Sequence, residues 1–475
     1  ENRFLDFNVE PLMPHLLSTQ SPKLAVGDVN GDGADDFYLC GAKGQAGQLA
    51  VGQKLGGNFK LPPNLSQPAF EADFLCEDAD AAFLDADHDG DLDLYVVSGG
   101  GEYREGSPQL KDRLYLNDGK GNFSKKELTL DEAANGSCVV PADFNGDGFT
   151  DLFVGSRSVP GSYGLTPKSF IFLNDGKANF RDGTAEICPQ IADAGMVTAA
   201  VWLENERLLI VAGEWMPLTI FDFSLPLTLS LSHTLTSSSG WWNSIAAADM
   251  DGDGDLDLLA GNHGLNSPLT ASPAEPVELY VKDFDENGAT DPVLTFFRQG
   301  KKYPFASKDE LTAQLPELKK RFVKYNAFAN SNFEEIFDEK MLAGAVHKKA
   351  ETFQSTYFEN KGSGNFEPRP LPVQAQLAPI HAFLPGDFDE DGKMDVLAVG
   401  NFFGNQPGIG RQDAMPGLFL KGDGQGNFSF VEPSRSGFWF SGEGRDVKLL
   451  KTGSGGKPQI LVARNNDAAL IFQAK

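Results

Sequence analysis

Five aspartates stand within nine positions at residues 85–93, DADHDGDLD, and an apolar run, LYVV, follows at once. Charges of one sign this close repel unless something neutralises them. Five further stretches repeat the arrangement: DVNGDGADD (28–36), DFNGDGFTD (143–151), DMDGDGDLD (249–257), DFDENGATD (283–291) and DFDEDGKMD (387–395). Loop positions 1, 3, 5 and 9 carry side-chain oxygens in every copy. These are Asp28, Asn30, Asp32 and Asp36; Asp85, Asp87, Asp89 and Asp93; Asp143, Asn145, Asp147 and Asp151. The later copies give Asp249, Asp251, Asp253 and Asp257; Asp283, Asp285, Asn287 and Asp291; Asp387, Asp389, Asp391 and Asp395. Position 6 is Gly in all six.

Alternate residues of a tight loop can turn their oxygens toward one centre, position 7 can add a backbone carbonyl, and Gly permits the bend. Such an oxygen cage suits a hard cation, and calcium accepts irregular cages better than magnesium does. The expectation is five or six bound Ca2+ ions. A solvated acidic turn explains one such loop well but not six in register. An EF-hand shares positions 1, 3, 5 and 6, yet it needs a bidentate Glu at position 12 and flanking helices. Here position 12 is Leu39, Val96, Val154, Ala260, Leu294 and Ala398, and flanks such as LDLYVV and TDLFVG read as strands.

The loops must therefore be held by sheets. A second signal follows most of them: GGNF (56–59), GKGNF (119–123), GKANF (176–180), GSGNF (362–366) and GQGNF (424–428). Each Gly-Asn turn after a strand such as LYLND marks a hairpin. The unit reads as strand, metal loop, strand, connection, strand, Gly-Asn turn, strand. Residues 200–215 and the carboxyl-terminal GRDVKLLKTGSGGKPQILVARNNDAALIF keep the strands without the metal loop. The chain is thus expected to be all-β: one seven-bladed β-propeller over 1–475, its strand-rich amino terminus available to complete the last sheet. Eight blades follow if DFDENGATD founds its own. A small helical insertion is expected at 301–350 within the fifth blade, with Ser-x-x-Glu capping boxes at SKDE (307–310) and SNFE (331–334).

The net charge of −27 is mostly loop chemistry, for the six loops hold 26 acidic residues and one base, Lys393. No basic stripe exists to bind phosphates, so nucleic acid is not an expected partner. No run of about 18 apolar residues suggests a transmembrane helix. Cys40, Cys76, Cys138 and Cys188 are scattered, without a CxxC, and read as buried free thiols, one or two disulfides remaining open. Calcium loops of moderate affinity fill where calcium is plentiful. The expected location is secreted, periplasmic or cell-surface, as a monomer or part of a longer chain.

The D-x-D/N-x-D/N-G-x-x-D loops with Gly-Asn-Phe hairpins resemble FG-GAP (VCBS) repeats, the calcium-binding blades of the integrin α-subunit propeller. PLMPHLLSTQSPKLAVGDVNGDG, GEWMP, SGWWNS, GNHGLNS and the SKDEL insertion are similar to the cartilage-acidic-protein-like FG-GAP proteins of bacterial, notably Bacteroidetes, cell envelopes. That resemblance implies a secreted or surface-exposed protein. It does not extend calcium to the fourth and seventh units, whose metal loops are missing.

Strands alternate direction within a blade, so loops between strands 1 and 2 share one face and segments after strand 2 share the other. The second face should gather Tyr103, Arg157, Glu214, Trp215, Trp242, Asn262, His263, Asn401, Arg411 and Arg445. Tyr103, Arg157, Trp215, Trp242, Asn262, His263, Asn401 and Arg445 form the expected ligand site: rings, amides and guanidinium groups suit sugars or a peptide carboxylate. The same residues could instead only close the funnel. The expected function is a calcium-stabilised adhesion module for an extracellular protein or glycan, with no catalytic residue assigned. The alternative is a propeller-type polysaccharide lyase drawing on His263 or His381; no nucleophile-elbow, zinc or kinase motif occurs. A purely structural spacer is the third reading.

Overall fold

Residues 94–97 are all fully buried, and a ring of sheets explains why an uninterrupted apolar run should follow so acidic a loop. A computed structural model describes residues 4–52, 67–130, 132–224, 232–362, 364–453 and 456–473. Seven antiparallel sheets begin with Leu24–Gly27, Asp78–Leu84, Asn135–Ala142, Met196–Leu203, Ser244–Ala248, Ile380–Gly386 and Glu443–Leu450. These first strands neighbour one another in that order, and the last lies against the first. The all-β, propeller-like class expected from the repeats is the class the chain adopts.

Each second strand is covered on both faces. Leu94 and Val96 pack toward the first sheet with Ala25, Tyr38 and Leu49, whereas Tyr95 and Val97 pack toward the third with Leu152 and Val154. The alternation continues around the molecule. Phe153 meets Leu209 and Val211, Ile210 and Ala212 meet Leu258 and Ala260, and Leu259 meets Val396 and Ala398. Leu397 and Val399 meet Ile460 and Val462, and Leu461 and Ala463 return to Leu24 and Phe37. A strand buried on both sides carries apolar residues at consecutive positions, so its sequence does not alternate.

The expected Gly-Asn hairpins lie where predicted in four sheets, with Asn117 paired to Phe123, Asn174 to Phe180, Asn360 to Phe366 and Gly422 to Phe428. The fifth, GGNF at 56–59, lies outside the described residues. Between strands two and three of the fifth sheet the chain builds a further sheet. Its strands Lys301–Pro304, Asp291–Arg298, Val277–Lys282 and Val346–Ala350 pair in that order, and DFDENGATD joins two of them. Short helices between Lys308 and Leu342 cover it through Leu311, Leu318, Phe333 and Ile336. Ser307 and Glu310 form the expected capping box, but the second box is Asn332 with Glu335, one residue beyond SNFE, because Asn332 takes the N-cap position.

The amino-terminal segment does not complete the last sheet, which has three described strands, Glu443–Leu450, Gln459–Asn465 and Leu470–Gln473. It crosses the face opposite the metal loops instead, His15 bridging to Asn405 and Asp6 accepting hydrogen bonds from the Leu17 and Ser18 amides. The four cysteines are free thiols.

Candidate metal loops and the closed face

The loops fold around their first carboxylate. Asp85 accepts hydrogen bonds from the Asp89 and Gly90 amides at 3.1 Å each, and Asp28, Asp283 and Asp387 are used alike. Position 6 must then be left-handed: φ is +96° at Gly90 and +99° at Gly254, a region that favours glycine. Position 4 is left-handed too, as Gly252 at +80° and as His88 at +63°. The GDG signature is thus a backbone requirement of the turn.

The ninth-position Asp is buried in every loop and ties three pieces of chain together. In the second sheet Asp93 accepts from the Ala86 amide of its own loop at 3.0 Å and from the Asn117 amide of the third strand at 2.9 Å. Asp36, Asp151, Asp257 and Asp395 repeat both bonds, whereas Asp291 has only the loop bond, to Phe284. Burial, ahead of all other causes, pushes these carboxyls up, Asp36 to about 7 and Asp93, Asp151 and Asp291 to about 6.

Carboxylate oxygens from positions 1, 3 and 9 lie within 4.8 Å of one another in four loops: Asp85, Asp87 and Asp93; Asp249, Asp251 and Asp257; Asp283, Asp285 and Asp291; Asp387, Asp389 and Asp395. In the loops at 28–36 and 143–151 position 3 is Asn30 or Asn145, whose carboxamide oxygen accepts from the Asp32 or Asp147 amide. The fifth-position side chains Asp32, Asp89, Asp147, Asp253, Asn287 and Asp391 cap the amide two residues on, at 2.8–3.1 Å. The sequence pattern therefore separates into converging residues, 1, 3 and 9, and one that shapes the turn.

Calcium is the ion the pattern implies, and the donor set can be tested against the structure. Asp87 Oδ1 and Asp285 Oδ1 are shielded from solvent and have no hydrogen-bond partner. A buried carboxylate oxygen left unpaired is costly, and a hard cation is the partner that such an oxygen takes. The residues fit the ion.

The opposite face is closed where the crossing segment meets Glu214, Trp241 and His263. Of the eight side chains expected there to bind ligand, seven are buried, Trp242, Asn262 and Arg445 completely. Trp242 Nε1 donates to the Ser238 carbonyl at 2.7 Å. Asn262 Oδ1 accepts from the Trp241 and His263 amides, and Asn401 Nδ2 donates to the Met415 and Gly442 carbonyls. Arg445 spans Thr19, Asn401 and Glu443, Trp215 Nε1 donates to Tyr163, and His263 Nε2 lies 3.1 Å from Ser267 Oγ. Tyr103, the more exposed member, donates to the Leu75 carbonyl under Lys43, 4.2 Å from its ring centroid. These residues close the face; they do not line an open pocket on it.

Glu214 is the hub of this closure and is itself fully buried. Arg157, Tyr163 and His15 all bond its carboxylate, His15 from the crossing amino-terminal segment at 3.1 Å. Burial alone would raise Glu214, but His15 and Arg157 outweigh it and hold the carboxyl well below the usual range. The cavity beside it, about 20 Å3 and lined by Glu214, Trp241, His263 and His381 among others, has room for about one water and none for a sugar ring. Sequence reasoning singled out Trp242 where Trp241 faces this cavity. In a strand, neighbouring residues point oppositely, and the doublet alone does not say which faces inward.

Residues 85–154 match an FG-GAP-like repeat family, and residues 241–272 match the FG-GAP repeat family. No curated protein matches the chain. Among solved structures, the biofilm matrix protein Bap1 of V. cholerae aligns over 98% of this chain and 89% of its own, at 10% identity and a TM-score of 0.38. That likeness is too low to carry an argument.

Proposed function

We propose that this FG-GAP repeat protein is a calcium-stabilised binding module of the cell exterior, with calcium bracing the sheets and the ligand, a protein or glycan, held elsewhere on the ring. The observation that carries the calcium reading is the set of four carboxylate triads, two of which contain a buried oxygen without a partner. The described residues from Leu24 onward act as one seven-bladed body, into which the sheet and helices between Val277 and Ala350 are inserted. No helix among the described residues is long and apolar enough to cross a membrane.

The ligand seat we assign is an open groove of about 620 Å3 beside the third sheet, lined by Ser158, Thr166, Lys168, Asp182 and Thr184 with Phe170 at its wall. Its volume falls in the range of small-ligand sites, and the exposed Thr166, Lys168 and Asp182 offer a hydroxyl and two charged groups to the hydroxyls of a glycan. The lyase alternative draws on His263 and His381, and both are buried.

Chelation and ligand retention test the two halves. Since an ion that binds only the folded state stabilises it by about 2.7 kcal/mol per site at a hundredfold excess over Kd, EDTA should lower the melting temperature and added calcium should restore it. An unchanged melting curve sinks the calcium reading. Retention on a panel of polysaccharides and matrix proteins, weakened by Lys168→Glu without loss of thermal stability, supports the groove; retention indifferent to that change removes it.

A further inference from the structure

The six acidic loops are not equivalent, and the difference comes from the third strand. In five sheets the ninth-position Asp accepts a hydrogen bond from an amide in or just beyond the third strand: Gly52, Asn117, Asn174, Asn360 or Gly422. The residue just before that amide is Val51 in the first sheet, Leu116 in the second, Leu173 in the third, Glu359 in the fifth and Lys421 in the sixth. Three are apolar and one is acidic, Glu359, which is ion-paired with Lys361 and Arg369. Lys421 alone of the five is cationic. Its ammonium bonds Asp389 Oδ2 and lies 2.8 Å from Asp391 Oδ2.

Asp389 is the third-position member of the triad Asp387, Asp389 and Asp395. A cation arriving there must displace the ammonium from Asp389 or share the carboxylate with it. Lys393, at position 7 of the same loop, adds a second positive charge, and no other loop holds a Lys or Arg. We propose that Lys421 is an internal counter-ion to the triad of the loop at 387–395, making it the weakest divalent-cation site of the four triads, so that this loop is held with little or no calcium where the other three take it up. This rests on the calcium reading above.

Like charges this close repel even in water and more strongly near a protein surface, so removing the ammonium should strengthen this site about tenfold. The experiment counts bound ions by native mass spectrometry and equilibrium dialysis against calcium, comparing the wild-type chain with Lys421→Leu, which installs the residue type of Leu116 and Leu173. Over the concentrations that fill the other loops, the wild type should hold one ion fewer than the variant. Adding Asp387→Ala to Lys421→Leu should remove the gained ion and no other. Equal counts and equal affinities in the wild type and Lys421→Leu overturn the counter-ion role while leaving the calcium reading intact. If neither chain takes up calcium, both fall together, and the zero count tells this case from the other.

Discussion

His263 shows how a residue chosen for chemistry can be spent on structure. It stood out in the sequence as a loop histidine next to Asn262, a plausible base. In the structure it is packed edge-on against Trp241 at 5.0 Å and against Phe353 at 5.1 Å. Burial, with a smaller push from His15, drives its pKa down to about 3. A histidine held neutral in the fold but free to charge near 6.5 when unfolded supports stability above pH 6.5, and that support fades as pH falls from 6.5 toward 3. His263→Gln should therefore flatten the acid side of the stability curve in that window, measured as denaturant midpoints at a series of pH values. A variant whose slope between pH 6.5 and 3 matched the wild type would show that His263 is not held neutral. The converging oxygens of loop positions 1, 3 and 9 were legible at this scale because copies in register isolate them. The roles of Trp215, Trp242, Asn262, Asn401 and Arg445 were not, since burial depends on what crosses the face, and the crossing segment that carries His15 has no repeat to announce it.

Elements speak to one another through the third-strand asparagines. Asn174 Nδ2 donates to the Ala86 carbonyl in the metal loop of the preceding sheet at 2.9 Å and to the Thr150 carbonyl in its own at 3.2 Å. Asn117 bridges Val29 and Leu92 in the same way, at 2.7 and 3.0 Å. Asn360 donates only to its own loop, at Leu256, because the preceding fourth sheet joins its first two strands through the short turn at 204–207 in place of a metal loop. Each bridging asparagine thus locks two adjacent metal loops together. Asn174→Ala leaves two carbonyls without that donor and should cost about 1–3 kcal/mol, and on the calcium reading proposed above it should also weaken cation uptake at 85–93. Asn360→Ala should cost less and leave the preceding sheet untouched. Paired urea titrations, with and without calcium, check this; an equal loss in both variants would contradict the coupling. The sequence predicted the hairpins through LYLND and Gly-Asn-Phe, but the bridge between sheets needed the register. It places each asparagine beside the neighbouring loop.

Closure of the whole ring depends on the seam between its last and first sheets. The sequence suggested that the amino terminus would supply a strand there, a covalent latch. The structure instead joins the two sheets face to face, through Leu24, Phe37 and Ala50 against Leu450, Leu461 and Ala463. At the rim, the Lys451 amide donates to Asp35 Oδ2 at 2.7 Å and the Asp35 amide to the Lys451 carbonyl at 2.8 Å; deeper in, the Leu24 amide donates to Asp446 Oδ2 at 3.0 Å. This seam buries apolar side chains much as the interior seams do, and each second strand serves two seams at once. Loss of one seam should therefore be felt by all. Leu461→Ala should cost about 2–5 kcal/mol, comparable with Leu209→Ala between the third and fourth sheets, and both variants should melt in one transition. Hydrogen exchange across residues 443–473 supplies the contrary sign. Early exchange confined to that sheet in the Leu461→Ala variant, with the other sheets still protected, would mean that the last sheet opens alone and that the seam is an edge contact, not the closure of a ring.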